Sequence, residues 1–251
     1  MADGNLTKVI LSLPMEVYWE APLLLLYRRL TRGATAGLRF YLDAGDGRGA
    51  LMGISPEPLV GLMGGQVRMR LLAGTRKHQP GAEADLTTSE KDRHEHSVAV
   101  EQARQDLLTV CRPESVAVPA FLEVERHPGL VHLASSLTGR LREGAGPGDL
   151  VRACFPASTV GGIPRDRAAA VIAALEPLPR EWYAGAVGLV LPGGGLDLWL
   201  TIRSLRYRGG VVQLRTGAGL VPESDPTAEW QECLNKAAYT LAALGGEIRE
   251  Q

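Results

Sequence analysis

Two short stretches carry most of the residues with chemical potential. The first is TSEKDRHEHS, Thr88 to Ser97, where Glu90, Asp92 and Glu95 stand among two histidines just ahead of an apolar run. Ser89 with Asp92 three residues later resembles a capping box, so a helix is expected to begin near Glu90. At about 100° per residue, Asp92 and His96 fall within the stripe formed by Ala99, Val100, Ala103, Leu107 and Val110, and Glu95 falls at its edge. Acidic residues at a helix start are also favoured by the helix dipole alone. Against that plain reading, a carboxylate turned inward needs a partner, because an unpaired buried charge is very costly.

The second stretch is DPTAEWQECLNK, Asp225 to Lys236. Asp225 suits a helix cap with Pro226 at the first helical position. Glu229, Glu232 and Lys236 then lie within about 60° of one another on the helical wheel. They border an apolar face of Trp230, Cys233, Ala237, Leu241 and Leu244. Two helices showing carboxylates to one cavity would suit a hard cation, and a few carboxylates with waters would suit magnesium. A solvated Glu–Lys stripe is the alternative.

The elements that must position these groups are mixed. KVILSLP from Lys8 reads as a strand, and APLLLLYRRL from Ala21 as a helix. GLRFYLDAG and the segment from Gly49 to Gly74 read as strands broken by Gly and Pro. Lys77 to Ser89 reads as a polar loop, and the helix after it is expected to run to about Cys111, before Pro113. Two strands, two helices (GDLVRACF and PRDRAAAVIAALEPL), and strands from Trp182 to Leu220 follow, then a helix from about Pro226 to Leu244. Short Gly turns between strands favour antiparallel pairing. The fold class expected is α+β: largely antiparallel sheets with helices packed outside, in one domain over residues 1–251.

Global composition narrows the partners. The chain has 251 residues, 45% of them hydrophobic and 22% charged, with a formal net charge of −1. That is enough for a real core, and the absent basic excess disfavours nucleic acid. Cys111, Cys154 and Cys233 lie far apart without metal-finger spacing, as expected for reduced thiols in a cytoplasmic protein. The opening MADGNLTKVILSLP lacks the pattern of a signal peptide. No apolar run reaches the roughly 18 residues that span a bilayer, so no membrane partner is expected.

Eight blocks then carry a resemblance: GISPE, LAGTRK, SEKDRHEH, VHLASS, FPASTVGGIPR, REWYAGAVG, LTIRS and GAGLVPESDPTAEWQE. Each alone is weak, but their shared order is highly specific. The chain resembles the chorismate-binding domain of isochorismate synthases, salicylate synthases and anthranilate synthase large subunits. SEKDRHEH looks most like the isochorismate synthases, of menaquinone or siderophore type, and VGGIPR, WYAGA and AEWQE like their menaquinone-pathway members.

That resemblance implies a reaction and roles. Water adds at one ring carbon of chorismate and the 4-hydroxyl leaves, which needs a base and an acid. Lys8 and Glu57 stand where the family places them, with His132 near the ring. A lysine serves as a base near neutral pH only when burial or neighbours favour its neutral amine, and Lys8 opens an apolar strand. Taken alone, Lys8 reads as a strand-edge lysine and His132 equally as a core histidine satisfied by backbone. Glu95 and Glu232 would bind magnesium, helped by Asp92 and Glu229. Tyr183, Arg203 and Lys236 would face substrate carboxylates, while Gly74, Thr75, Gly217, Ala218 and Gly219 would wrap the substrate closely. Taken alone, those glycines read as simple turns and Arg203 as an exposed strand residue.

The same positions separate relatives. Lys8 replaces the glutamine usual in anthranilate synthases, and Ala73 replaces the lysine usual in aminodeoxychorismate synthases. RQDL, Arg104 to Leu107, echoes the anthranilate group. Thr159 is the residue of salicylate synthases, so a second step, elimination of pyruvate, stays open. Leu13 stands where many members have arginine, and the family's N-terminal portion does not precede Lys8. A homo-oligomer, or a partner chain supplying that layer, is therefore expected, with a non-catalytic chorismate-binding module as the rival from another class.

Overall fold

The computed structural model describes residues 5–34, 36–43, 45, 49–127 and 129–245. The first four residues of the opening segment, Ala44 of the second expected strand and Pro128 lie outside them, as does the C-terminal end of the expected domain.

Among the described residues there are two six-stranded sheets, and every named pairing is antiparallel. The first is ordered β2 (Leu38–Asp43), β3 (Ala50–Ser55), β11 (Ser204–Arg208), β12 (Val211–Leu220), β1 (Lys8–Tyr18) and β8 (Gly162–Ile163). The second is ordered β6 (Ala117–His127), β7 (Leu130–Arg140), β5 (Gln66–Lys77), β4 (Pro58–Met63), β10 (Leu196–Leu200) and β9 (Ala186–Val190). β1 and β12 pair over ten residues, from Val9 opposite Leu220 to Tyr18 opposite Val211. β5 alternates exposed and buried at its start, then is buried continuously from Leu71 to Thr75, where it passes under the helices.

Helices cover the sheets. α1 (Leu23–Leu30) and α6 (Pro226–Leu244) pack on the first sheet, joining Leu26, Leu30, Ala237 and Leu241 to Met52, Leu205 and Leu214. α3 (Glu90–Leu108) and α4 (Pro147–Cys154) cover the second, joining Ala99, Ala103, Leu107 and Leu150 to Val60, Val67 and Leu137. α5 (Arg165–Leu175) rests on β1 through Ala168 and Val9. Fully burying one such Leu or Val contributes about 1.5–3 kcal/mol.

Two expectations change. Lys77 to Ser89 is not all loop: α2 (Ala82–Thr88) forms there because Ala82 and Leu86 bury against Val131 and Leu133. Trp230 is 51% exposed rather than part of the apolar face, since α6 turns Glu229, Cys233, Ala237, Leu241 and Leu244 inward. Leu189 and Val190 on the edge strand β9 are exposed, as are Leu175, Leu178 and Trp182 in the segment leading to it. No helix among the described residues is long and apolar enough to cross a membrane.

Candidate active site

Most residues singled out by chemistry line one cavity between the sheets. β1 contributes Lys8, the β3–β4 turn Glu57, and β5 Gly74 and Thr75. α3 adds Glu95, β7 His132, and the segment before β8 Thr159. Tyr183, Arg203, Gly217, Gly219, Glu232 and Lys236 complete the wall. Three expected residues do not line it. Ala218 alternates away from the cavity between Gly217 and Gly219 on β12. Asp92 is 2% exposed but committed to Arg76 at 2.6 Å, which also holds Asp85 of α2 at 2.6 Å. Glu229 pairs with Lys91.

The local backbone explains several glycines. The register of β5 shifts between Ala73 and Thr75, and Gly74 takes φ +78°, where a side chain would also press on Asp92. A Cβ at Gly219 would overlap Glu95 Oε1, and one at Gly217 would stand 2.9 Å from the Tyr183 hydroxyl. These two glycines therefore make room for protein side chains at the cavity wall, a role distinct from the expected wrapping of substrate.

Charge is arranged in pairs. Lys8 is 1% exposed and meets Glu95 at 3.0 Å. Such a pair is worth little net, but losing one member strands the other charge at a cost of about 3–5 kcal/mol. Lys236 meets Glu232 at 2.5 Å and donates to the Gly217 carbonyl at 2.9 Å. Burial opposes the Lys236 charge, yet Glu232 outweighs it and holds the ammonium above its ordinary range. Arg203 sits at φ 51°, donates to the Lys236 carbonyl at 2.9 Å, and is lowered to about 10 by burial.

Glu57 differs from the other carboxylates. It is 4% exposed, and burial raises it from 4.5 to about 7. The Thr159 hydroxyl donates to Glu57 Oε1 at 2.8 Å and works against that rise, as do the Leu72 N–H and the charges of Lys8 and Lys236. His132 is buried, lies 3.0 Å from Thr75 Oγ1 through Nδ1, and is held neutral by desolvation well below its ordinary 6.5.

Other residues had escaped assignment. His96, recognised only as inward-facing, is a core residue that burial lowers to about 4. Its Nδ1 lies 3.1 Å from the Ala73 carbonyl, so that nitrogen carries the proton; Nε2 then accepts from the Ser135 hydroxyl at 2.7 Å. Arg215 lines the cavity and is fixed from behind by Ser12 Oγ and Glu176, both at 2.9 Å. Alternation along β12 signals its direction but not its partners. Lys91 lay in plain view inside SEKDRHEH; its contact with Glu229 joins residues 138 apart in sequence.

The donor set suits a hard cation, being all carboxylate oxygen. Glu229 Oε2 is buried without a hydrogen-bond partner, as a ligand atom would be. Among the described residues no three His, Cys, Asp or Glu groups converge as a metal centre. Lys8, Lys91 and Lys236 instead pair one each with Glu95, Glu229 and Glu232.

The two-sheet fold and this cavity agree with the comparison to known proteins: the chain belongs to the chorismate binding enzyme family, matched over residues 1–242. It is 39% identical over 251 residues to the anthranilate synthase component 1 of Spirochaeta aurantia, covering 98% of this chain and 52% of that protein. It thus spans about half the length of that relative. The crystal structure of the putative 2,3-dihydroxybenzoate-specific isochorismate synthase DhbC from Bacillus anthracis superposes with TM-score 0.90 at 30% identity, covering 97% of this chain and 68% of that one. MenF, the menaquinone-specific isochorismate synthase from Escherichia coli, superposes with TM-score 0.87 at 31% identity, covering 97% and 57%.

Proposed function

We propose that the chain converts chorismate to isochorismate, adding water at one ring carbon as the 4-hydroxyl leaves. The observation that carries this reading is the pairing of Glu57 and Lys8 in one cavity. A carboxyl at about 7 is roughly half protonated at neutral pH, so Glu57 is suited to give a proton to the departing hydroxyl. Lys8 is the candidate base for the water. The Lys8 nitrogen contacts Glu95 at 3.0 Å, so turning it to the water requires Glu95 to be engaged elsewhere.

Chorismate carries two carboxylates, and Arg203 and Lys236 offer the cationic wall for them, with Tyr183 lining the same cavity. His132, neutral and fixed by Thr75, would seat the ring. Glu95 and Glu232, with Glu229, would hold magnesium, which when bound neutralises charge on the ring carboxylate. The likeness to DhbC and MenF supports isochorismate as product. The identity to anthranilate synthase component 1 favours a second reading, in which ammonia replaces water. The exposed apolar residues of β9 and the segment before it favour cover by a second copy or a partner chain.

Incubation with chorismate and magnesium, with and without ammonium, followed by chromatography, separates these readings. Isochorismate without ammonium is expected. Anthranilate formed only with ammonium would overturn the proposal, salicylate dominating from the first time points would replace it with a synthase–lyase, and binding without turnover would leave a non-catalytic module. Lys8→Gln should lose isochorismate formation while retaining chorismate affinity; parental turnover in that variant would remove Lys8 as the base.

A further inference from the structure

Lys91 has no role in the chemistry proposed above, yet its placement is costly without one. It stands in the first turn of α3, where the helix's positive end disfavours a cation. Its side chain is 28% exposed and its ammonium contacts Glu229, which is 6% exposed. Glu95 and Glu232 also lie close enough for their charges to act on Lys91. One ammonium therefore occupies a buried carboxylate assigned to a cation, and it keeps a route to solvent. Beside it, Glu229 Oε2 is buried with no partner. An ordinary tie between α3 and α6 would explain the contact with Glu229, but not the surplus acceptor beside it.

We propose that Lys91 is a built-in counter-ion: it stands in for a divalent cation among Glu95, Glu229 and Glu232, and leaves for solvent when that cation binds. This rests on the reading of those carboxylates as cation ligands. A divalent ion on Glu229 would stand close to the Lys91 ammonium, and their like charges repel at close range. The exchange keeps Glu229 compensated in the cation-free chain, where Lys8 and Lys236 already hold Glu95 and Glu232. It also sets affinity, because the incoming cation must displace a charge already in place.

The chain has four lysines, Lys8, Lys77, Lys91 and Lys236, so lysine footprinting reports on this directly. Brief acetylation of the intact protein, read by mass spectrometry, should modify Lys91 several-fold faster in magnesium than in chelator, with exposed Lys77 as the reference. In calorimetry, Lys91→Gln should bind magnesium about five- to tenfold tighter than the parent. In chelator it should melt lower than the parent, and magnesium should restore it. Magnesium heat with unchanged Lys91 acetylation would overturn the counter-ion. If neither parent nor variant binds magnesium, the cation reading itself fails and the counter-ion with it. The footprint uses the parent protein, so it decides the matter even if the variant does not fold.

Discussion

Replacing Glu57 with glutamine isolates the acid at the centre of the proposed reaction. Burial raises this carboxyl from 4.5 to about 7 against four opposing influences, so the protein environment clearly prefers the protonated form. Between those values the folded chain binds more protons than the unfolded chain. Stability is then fully present below about pH 4.5 and is lost as pH rises through about 7. At about 1.4 kcal/mol for each tenfold change in proton affinity, the full window amounts to about 3 kcal/mol. Glutamine mimics the protonated acid in shape, still accepts from Thr159, and does not ionise. Glu57→Gln and the parent should therefore differ little near pH 4.5, while at pH 8 the variant should be more stable by up to about 3 kcal/mol. Urea titrations across this range give the difference curve. Taking the difference removes groups of opposite slope, chiefly His96, whose lowering to about 4 costs stability as pH falls from 6.5. The variant should also lose about 100-fold or more in turnover, since its amide has no proton to give. A difference curve that stays flat from pH 4.5 to 8 would refute both the raised carboxyl and its use as an acid.

Three further outcomes follow from the same geometry. Glu232→Gln should abolish magnesium-dependent turnover, with calorimetry showing lost magnesium affinity; full activity in excess chelator would sink the assignment. Thr159→Ala removes the hydroxyl that donates to Glu57 at 2.8 Å, so the alkaline limb of the pH–rate profile should move up by about one pH unit. Any salicylate formed should fall in the same variant, and an unmoved limb would show that this hydrogen bond does not tune the acid. Gly219→Ala sets a methyl against Glu95 and displaces a carboxylate assigned to the cation, so magnesium affinity by calorimetry and turnover should fall together; unchanged magnesium affinity would remove Glu95 as a ligand.

What could be read from sequence depended on how local each cause was. The bounds of α6 follow from Asp225 and Pro226 at one end and Gly245 at φ 75° at the other, all adjacent to the helix they define. Ser89 likewise accepts from the Asp92 N–H and starts α3, although Asp92 turns its own side chain to Arg76 instead of closing the box. The wheel gave Asp92 an inward direction but not its partner on β5. α2 went unseen because its seven residues have weak local signals and are held by Leu86 packing on another strand. The pairing of Lys8 with Glu95 and the raised Glu57 arise only when distant segments bury one another. Spacing within a segment carries no trace of them.

The ten-residue ladder between β1 and β12 has a consequence for how the protein is made. Roughly 200 residues separate the two strands in the chain, so at about 5–20 residues per second β1 leaves the ribosome on the order of 10–40 s before its partner. During that interval the segment Lys8–Leu13 is an apolar strand with no ladder to join on that side. Lys8 on β1 and Glu232 on α6 can face one another only after the last tenth of the chain has been delivered. The cavity thus forms only once α6 has been delivered, and nascent chains short of that point expose a strand that a holding chaperone must shield or that neighbouring chains will pair with.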